Sequence, residues 1–237
     1  MDLGHLYIVA TPIGNLQDIT LRALETLKQS DTIVCEDTRV TGILLHNYGI
    51  KKPLIALNEF NEQTVIYEII EKLQQGENVS LVSDNGTPLI SDPGFLLVRL
   101  ARKKEIPVFP IPGPSAVITA LSASGLPTDS FVYLGFLPKN KTKKKKYLQY
   151  LSSIVTKDFC PTFALYESPH RIIDTLTQIK DTFGDIHVVV ARELTKIHEE
   201  FTNIQISECI ANYSQKAPKG EITLLFSLKS QENVSSQ

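Results

Sequence analysis

The chain has 237 residues, 42% of them hydrophobic and 21% charged, with a formal net charge of −2, so it is long enough for one large or two small domains and is not a wholesale polyanion binder. Its three cysteines lie far apart without a CxxC pair, which indicates reduced thiols in a cytoplasmic protein and argues against a zinc or other metal site. No segment reaches the roughly 18 apolar residues of a membrane span, and the first residues lack the basic region of a signal peptide.

In the first half of the chain, short apolar segments alternate with helical patterns. One helical pattern, 61–76, places five apolar residues on one stripe, with Gly76 as its stop: Val65, Ile66, Ile69, Ile70 and Leu73. This rhythm predicts a doubly wound, mainly parallel sheet of the α/β class. The predicted strands are 6–10, 32–36, 54–57, 79–83 and 107–111, and the predicted helices are 20–29, 41–49, 61–76 and 94–105.

The pattern changes after a Pro- and Gly-punctuated hinge around a small-residue helix at 111–127. Several strands now alternate in polarity, which predicts a second α/β domain with a mixed sheet. One clear helix lies within 168–184, with Ser168 as N-cap, Pro169 at the first position and Gly184 as its stop. We expect domains at 1–114 and 115–237, with a frayed tail at 229–237. The predicted strands are 131–136, 162–167, 187–193, 200–207 and 221–228.

Polar loops follow the strands of the first half, at the sheet edge where doubly wound folds bind ligands. "TPIGN" (11–15) has one glycine, so it lacks the dinucleotide fingerprint, and a plain turn capped by Asp18 or Thr20 is an alternative. "EDTR" (36–39) is either part of a site or a salt-bridged turn. "SDNGTPLISDPG" (83–94) has two turn motifs in tandem, and long loops in compact domains are usually functional.

The most basic segment of the chain is "PKNKTKKKKY" (138–147). Its ammonium groups are suited to the phosphate backbone of RNA, although a solvated loop and helix start is the alternative. Arg171, in "YESPHR", is a further candidate for phosphate contact. The candidate RNA-binding residues are Lys139, Lys141, Lys143, Lys144, Lys145, Lys146 and Arg171.

Several segments in one order carry a resemblance: "LYIVATPIGNLQDITLRAL", "CEDTR", "LVSDNGTPLISDPG", "PIPGPSAVITALSASGLP", "GFLP", "YESPHR", "ARELTK" and "KGE". Together they resemble the ribosomal RNA small subunit methyltransferase I family of tetrapyrrole methylase-like, class III S-adenosylmethionine methyltransferases. The resemblance implies two α/β domains, a homodimer, and S-adenosylmethionine in the cleft between the domains. It also implies 2′-O-methylation of a cytidine ribose in the decoding region, on small-subunit ribosomal RNA or on the assembled subunit.

The resemblance further implies which residues border the cofactor. Two departures from the family pattern are visible: Asn85 replaces an alanine, and "NEFNE" replaces a His-Glu-His-Asn-Glu run. The second departure, at Asn58 and Phe60, puts a role of that loop in proton transfer in doubt. The implied cofactor residues are Ile13, Ser83, Asp84, Gly86, Thr87, Ile90, Ser91, Ser115, Ala116, Tyr166, Glu167, Leu194 and Gly220.

A ribose hydroxyl is a weak nucleophile at neutral pH, so a general base or a nearby cation would assist its methylation. The charged strand ends offer candidates, although ion-pair clusters without a catalytic role are equally consistent with the sequence. No metal is required. The candidates are Asp37, Arg39, Glu193, Lys196 and Lys219.

Two other functions remain open from the residues. The same fold could methylate a tetrapyrrole precursor, but the single glycine of the first loop and the lysine run favour RNA. A non-catalytic RNA-binding or assembly factor is the other alternative, and the intact loops at the sheet edge favour an enzyme.

Overall fold

The computed structural model describes residues 2–156 and 158–228, which fall into two compact units that divide after Ser115. The expected frayed tail at 229–237 lies outside the described residues. Each unit is built around its own five-stranded sheet with helices on it, so the chain is of the α/β class, as predicted.

The N-terminal unit contains a parallel sheet with the strand order β3-β2-β4-β1-β5. Every residue of β2 and β4 is buried, as expected for strands covered on both faces. The parallel sheet predicted from the apolar runs is confirmed. Its strands are β1 (Leu6–Val9), β2 (Thr32–Cys35), β3 (Leu54–Ala56), β4 (Val79–Val82) and β5 (Val108–Ile111).

Four α-helices cover the two faces of this sheet. The helices α3 and α4 pack on one face, where Ile66, Ile69 and Leu73 form the predicted stripe. The helices α1 and α2 contribute to a second core on the other face. Gly76 follows α3 with a φ of 93°, as its predicted role as a stop requires. The helices are α1 (Leu21–Gln29), α2 (Thr38–Asn47), α3 (Glu62–Gln74) and α4 (Phe95–Lys103), and a 3₁₀ turn lies at Leu16–Asp18.

The C-terminal unit contains a mixed sheet with the order β6-β7-β10-β8-β9, in which only β6 and β7 are parallel. Its core is formed by inward-facing residues of these strands and of the helices α6, α7 and α8. The elements are α5 (Ala116–Ala123), β6 (Phe131–Phe136), α6 (Lys141–Ile154), β7 (Thr162–Glu167), α7 (Ile172–Phe183), β8 (His187–Arg192), β9 (Glu200–Gln205), α8 (Ile206–Gln215) and β10 (Ile222–Ser227).

The second half differs from the prediction at two helices, α7 and α8. The N-cap of α7 is Arg171 and not Ser168, because 168–171 form a separate turn before the helix. The helix α8 begins where the strand 200–207 was predicted to continue. Asp185 explains this start, since its carboxylate accepts hydrogen bonds from the backbone N–H and the hydroxyl of Ser207 at 2.9 and 2.6 Å. The helix start that the sequence left open within 138–147 is confirmed, since α6 begins at Lys141 and extends beyond the lysine run.

Within the described ranges, none of the helices has the length and apolar character that crossing a membrane requires.

Candidate functional site

The polar loops of the N-terminal unit start from a topological switch point. Strands β2 and β4 are neighbours in the middle of the sheet, and β1 lies on the other side of β4. The chain leaves β2 toward β3 on one side and leaves β4 toward β5 on the other. Connections that diverge in this way open a crevice at the carboxyl ends of the two strands, where doubly wound folds bind ligands.

Hydrogen bonds lock the loop after β1 to the loop after β4. Thr11 and Gly86 exchange backbone N–H···O bonds of 2.8 and 3.1 Å. The Thr11 hydroxyl donates to the carbonyl of Ser83 at 3.0 Å, and the Ser83 hydroxyl donates to the carbonyl of Gly86 at 3.2 Å. Both hydroxyl-bearing residues are buried, so these bonds form a rigid frame at the switch point.

Gly86 is required by this frame. Its φ is 84°, and a Cβ atom there would lie 3.2 Å from the Cγ2 of Ile13. The Thr87 hydroxyl donates to the carbonyl of Pro114 at 3.0 Å, which joins the segment after β5 to the same edge. The structure therefore brings together Ile13, Gly86 and Thr87, which the family resemblance had grouped.

The outer part of this loop is held in an unusual conformation. Leu89 and Ser91 both have positive φ values, of 71° and 70°, which non-glycine residues adopt rarely. The carboxylate of Glu62 accepts hydrogen bonds from the backbone N–H groups of Gly94 and Leu96 and so caps the start of α4. Ile90 and Ser91 are exposed between these fixed ends. Strained loops of this kind are enriched at ligand sites.

Four carboxyl groups lie near one another at this edge, on Glu36, Asp37, Asp84 and Asp92. Burial and the nearby acidic groups raise the pKa of Glu36. Burial also raises the pKa of Asp84, even though its Oδ1 accepts a hydrogen bond from the backbone N–H of Asp37 at 3.1 Å. Burial, followed by the charge of Glu36, raises the pKa of Asp92 to about 6. Glu36 and Asp92 were not among the predicted site residues, although the second Ser-Asp pair of the loop contained the signal for Asp92.

Asp37 itself differs from its neighbours. Its Oδ1 accepts the backbone N–H of Arg39 at 2.8 Å, so it caps α2. Hydrogen bonds from the Arg39 guanidinium lower the pKa of Asp37 to about 2. Such a carboxylate is a weak base, which disfavours the predicted role of Asp37 in proton transfer.

The turn after β3 is closed by its two asparagines. The Oδ1 of Asn58 accepts from the backbone N–H groups of Phe60 and Asn61, and the Oδ1 of Asn61 accepts from the N–H of Asn58. Asn58 therefore has a local structural role. The residue Phe60, at the position of a family histidine, is 99% exposed.

In the C-terminal unit, Glu193, Lys196 and Glu221 form a charged cluster next to the end of β8. The Lys196 ammonium donates to Glu193 Oε1 at 2.9 Å and to Glu221 Oε2 at 3.0 Å. Burial lowers the pKa of Lys196, but these two hydrogen bonds outweigh it and raise the pKa overall. Since a lysine base needs a depressed pKa, this environment disfavours Lys196 as the proton acceptor.

Gly220 is packed directly against this cluster. Its φ is 83°, and a Cβ atom there would lie 2.2 Å from the carboxyl carbon of Glu193. Glu193 itself has a φ of 51°. Lys219 is an exposed residue whose carbonyl accepts a hydrogen bond from Arg192 at 2.9 Å. The predicted residues Glu193 and Lys196 thus belong to an ion-pair network with Glu221, and Lys219 and Gly220 lie next to it in the chain before Glu221.

Tyr166 and Glu167, at the end of β7, lie in different environments. The Tyr166 ring contacts the rings of Tyr133 and Phe136, with centroids 5.2 and 5.7 Å apart. Glu167 is only 2% exposed, and its oxygens accept from the backbone N–H of Ser168 and the hydroxyl of Thr175. This buried structural role of Glu167 does not fit a direct cofactor contact. Leu194 is also buried.

Two of the predicted RNA-binding residues are held by other groups of the C-terminal unit. Lys144 is 1% exposed, and its ammonium donates to Asp174 and Thr175, both at 2.9 Å. The Arg171 guanidinium donates to the carbonyl of Leu137 at 2.6 Å and pairs with Glu167. These placements do not fit phosphate contacts by Lys144 or Arg171. Lys139, Lys141, Lys143, Lys145 and Lys146 are exposed.

Among the residues that the structure describes, no group of three or more His, Cys, Asp and Glu side chains is arranged to hold a metal ion.

Comparison with known proteins gives consistent results. Residues 5–209 match the family of tetrapyrrole (corrin/porphyrin) methylases. The chain is 51% identical to the ribosomal RNA small subunit methyltransferase I of Haemophilus influenzae over 94% of this chain and 78% of that protein. It is 45% identical to the protein of the same name from Thermotoga maritima, over 96% of this chain and 100% of the other.

Among solved structures, the fold is similar to that of a uroporphyrin-III C-methyltransferase from Thermus thermophilus complexed with S-adenosylhomocysteine. The TM-score is 0.65 at 15% identity, and the match covers 94% of this chain and 97% of the other. This likeness confirms the tetrapyrrole methylase fold.

Proposed function

The chain belongs to the tetrapyrrole methylase family, among its ribosomal RNA small subunit methyltransferase I members, and from this premise we propose that it is an rRNA (cytidine-2′-O)-methyltransferase. It would transfer a methyl group from S-adenosylmethionine to a cytidine ribose in the decoding region of the small-subunit ribosomal RNA. The observation that carries the proposal is the 45–51% identity, over nearly all of this chain, to relatives named ribosomal RNA small subunit methyltransferase I. We further propose that it acts in the cytoplasm as a homodimer.

The locked switch point of the N-terminal unit fits the proposed donor. The loops around Thr11 and Gly86 present backbone at close range, and the neighbouring carboxylates complement a cationic ligand. When bound, S-adenosylmethionine supplies an electrophilic methyl group on a sulfonium. We assign its binding in this unit to Ile13, Ser83, Asp84, Gly86, Thr87, Ile90, Ser91 and Ser115, and in the C-terminal unit to Ala116, Tyr166, Leu194 and Gly220.

The protein's own contribution would be to hold the ribose hydroxyl in line with the methyl group and to accept its proton. Asp37 and Lys196 are poorly suited to accept a proton, for the reasons given above. Asp92 suits this role best, because it lies in the loop that starts at the switch point and its pKa of about 6 is close to neutral. Arg39 remains protonated and can act only as a cation.

Transfer of labelled methyl from S-adenosylmethionine to small ribosomal subunits that lack ribose methylation tests the proposal. Naked small-subunit RNA is the parallel substrate. We expect label at one 2′-oxygen in the subunit, whereas label on naked RNA alone would place the reaction earlier in assembly. Donor binding without label on either substrate would overturn the proposal.

The variant Asp92→Asn tests the proton acceptor separately. It should lower the rate of transfer at saturating substrate while the donor still binds, and it should remove the rise in rate with pH near 6. Asp37→Asn is the matched carboxyl control at the same edge and should retain that rise.

A further inference from the structure

The helix α6 has two chemically different sides. Lys144, Leu148 and Leu151 are buried against the unit. An exposed side of the same helix contains Lys143, Lys146, Tyr147 and Tyr150, which follow the i, i+3, i+4, i+7 spacing of one helical face. We call these four residues the basic–aromatic face.

The lysines of this face carry positive charge that the protein does not neutralise. Lys144 and the exposed Lys141 both pair with Asp174. In the described part of the chain, no ion pair includes Lys143, Lys145 or Lys146. The first turn of α6 also contains no acidic residue, so lysines lie where the helix macrodipole favours negative charge. An external anion would be stabilised by both the lysines and the dipole.

The tyrosines of the same face give a second, independent indication. Tyr150 is 63% exposed and Tyr147 is 36% exposed, although a tyrosine ring gains more by burial than by contact with water. They are three residues apart on α6, so both rings emerge next to the lysines. Lysines interleaved with exposed aromatic rings are typical of surfaces that bind single-stranded nucleic acids.

We propose that the basic–aromatic face of α6 binds a single-stranded segment of the RNA substrate, with Lys143 and Lys146 on its phosphates and Tyr147 and Tyr150 stacked on two unpaired bases. A duplex is a poorer occupant, because its bases are already stacked on one another and present no free face to a ring. The inference rests on the proposed function and adds that the RNA substrate contains unpaired bases that this face binds.

Binding of a fluorescent single-stranded RNA oligomer, measured by anisotropy, tests the two parts separately. Lys143→Ala/Lys146→Ala should reduce the slope of log affinity against log salt by about 1.4, since each lost contact with single-stranded RNA removes about 0.7. Tyr147→Ala/Tyr150→Ala should weaken binding at least about tenfold and leave that slope unchanged. Tyr147→Phe/Tyr150→Phe should bind like the native protein, because stacking does not need the hydroxyl.

Matched controls come from exposed residues of the other unit. Lys103→Ala/Lys104→Ala removes the same charge, and Tyr67→Ala removes a ring that is 64% exposed on α3. We expect both controls to bind like the native protein. If either one weakened binding as much as its counterpart on α6, the assignment to this face would be overturned.

An oligomer of the same charge without bases separates stacking from electrostatics. With this abasic probe the tyrosine variant should lose nothing and the lysine variant should keep its full effect. An equal loss for the tyrosine variant on both probes would overturn stacking.

Methyl transfer then separates this inference from the proposed function. Transfer to subunits that is unaffected in all α6 variants would overturn the inference alone. If no RNA is methylated while oligomer binding still depends on the face, the proposed function fails and the binding surface stands.

Discussion

Lys144→Met replaces an ammonium group inside the C-terminal unit and retains most of the apolar stem. The ammonium donates two hydrogen bonds of 2.9 Å, to Asp174 and Thr175. Hydrogen bonds that involve a charged group contribute about 1.5–3 kcal/mol each, but the desolvation of the ammonium offsets part of this. Asp174 also keeps Lys141 and contact with water. We therefore expect a net loss of about 1–2 kcal/mol in the free energy of unfolding.

Lys144→Ala removes the stem as well. Three buried methylene groups contribute roughly 0.8 kcal/mol each, so the total loss should reach about 3–4 kcal/mol before any cavity term. Lys146→Ala is the matched control, because this lysine is exposed on the same helix, and it should stay within about 0.5 kcal/mol of the native protein.

Urea unfolding followed by circular dichroism measures these differences. In RNA binding, the variants at the two positions should rank in the opposite order from that in unfolding. Lys144→Met should leave the salt dependence of the RNA affinity unchanged, and Lys146→Ala should reduce it. If Lys144→Ala were no less stable than Lys146→Ala, the burial of Lys144 and the argument built on it would be refuted.

Three further perturbations test the candidate site. Asp92→Asn should raise the free energy of unfolding above pH 6 by about 1–2 kcal/mol, after allowance for partial exposure, and should have almost no effect at about pH 3. The sign follows because the pKa of Asp92 in the folded protein, about 6, lies above the ordinary 3.8, so the native protein loses stability as the pH rises between these values. An equal effect of the substitution at both pH values would contradict this reasoning. Gly220→Ala should destabilise the protein by at least about 1 kcal/mol more than the control Gly184→Ala. Both glycines have a φ of 83°, but only at Gly220 would the new Cβ clash with Glu193. Equal unfolding midpoints for the two variants would exclude that clash. Thr11→Val should cost about 1 kcal/mol by removing the hydroxyl bond between the loops after β1 and β4, and it should weaken donor binding in calorimetry. Unchanged donor affinity would separate this frame from the donor site.

The parallel sheet could be predicted because its signal is local. An apolar run such as Val79–Val82 is buried on both faces, and the polar loop that follows it is the only place where its carboxyl end can meet a ligand. The start of α7 could not be predicted in the same way. Ser168 has the residue type of an N-cap, but its own N–H is held by the carboxylate of Glu167, and the helix begins only after Arg171.

The candidate site was predictable as a set of loops but not as a set of roles. Asp37 and Asp92 are both aspartates after strands of one sheet. Their pKa values separate to about 2 and about 6 because one binds a guanidinium and the other is buried beside like charges. Arg39 lies in the same loop as Asp37, but Glu36, whose charge acts on Asp92, comes from the loop after a different strand, so sequence spacing alone does not reveal the higher pKa of Asp92.

The lysine run shows the same limit within a single helix. Seven residues of helical period connect Lys144 to Leu151, so the spacing itself points one lysine toward the core. A buried ammonium is tolerated only with a partner, and that partner, Asp174, lies on α7, thirty residues away in sequence. The charge of the run therefore overstates its capacity to bind phosphates. The aromatic residues Tyr147 and Tyr150, which charge counting overlooks, give the exposed side of α6 its preference for unpaired bases.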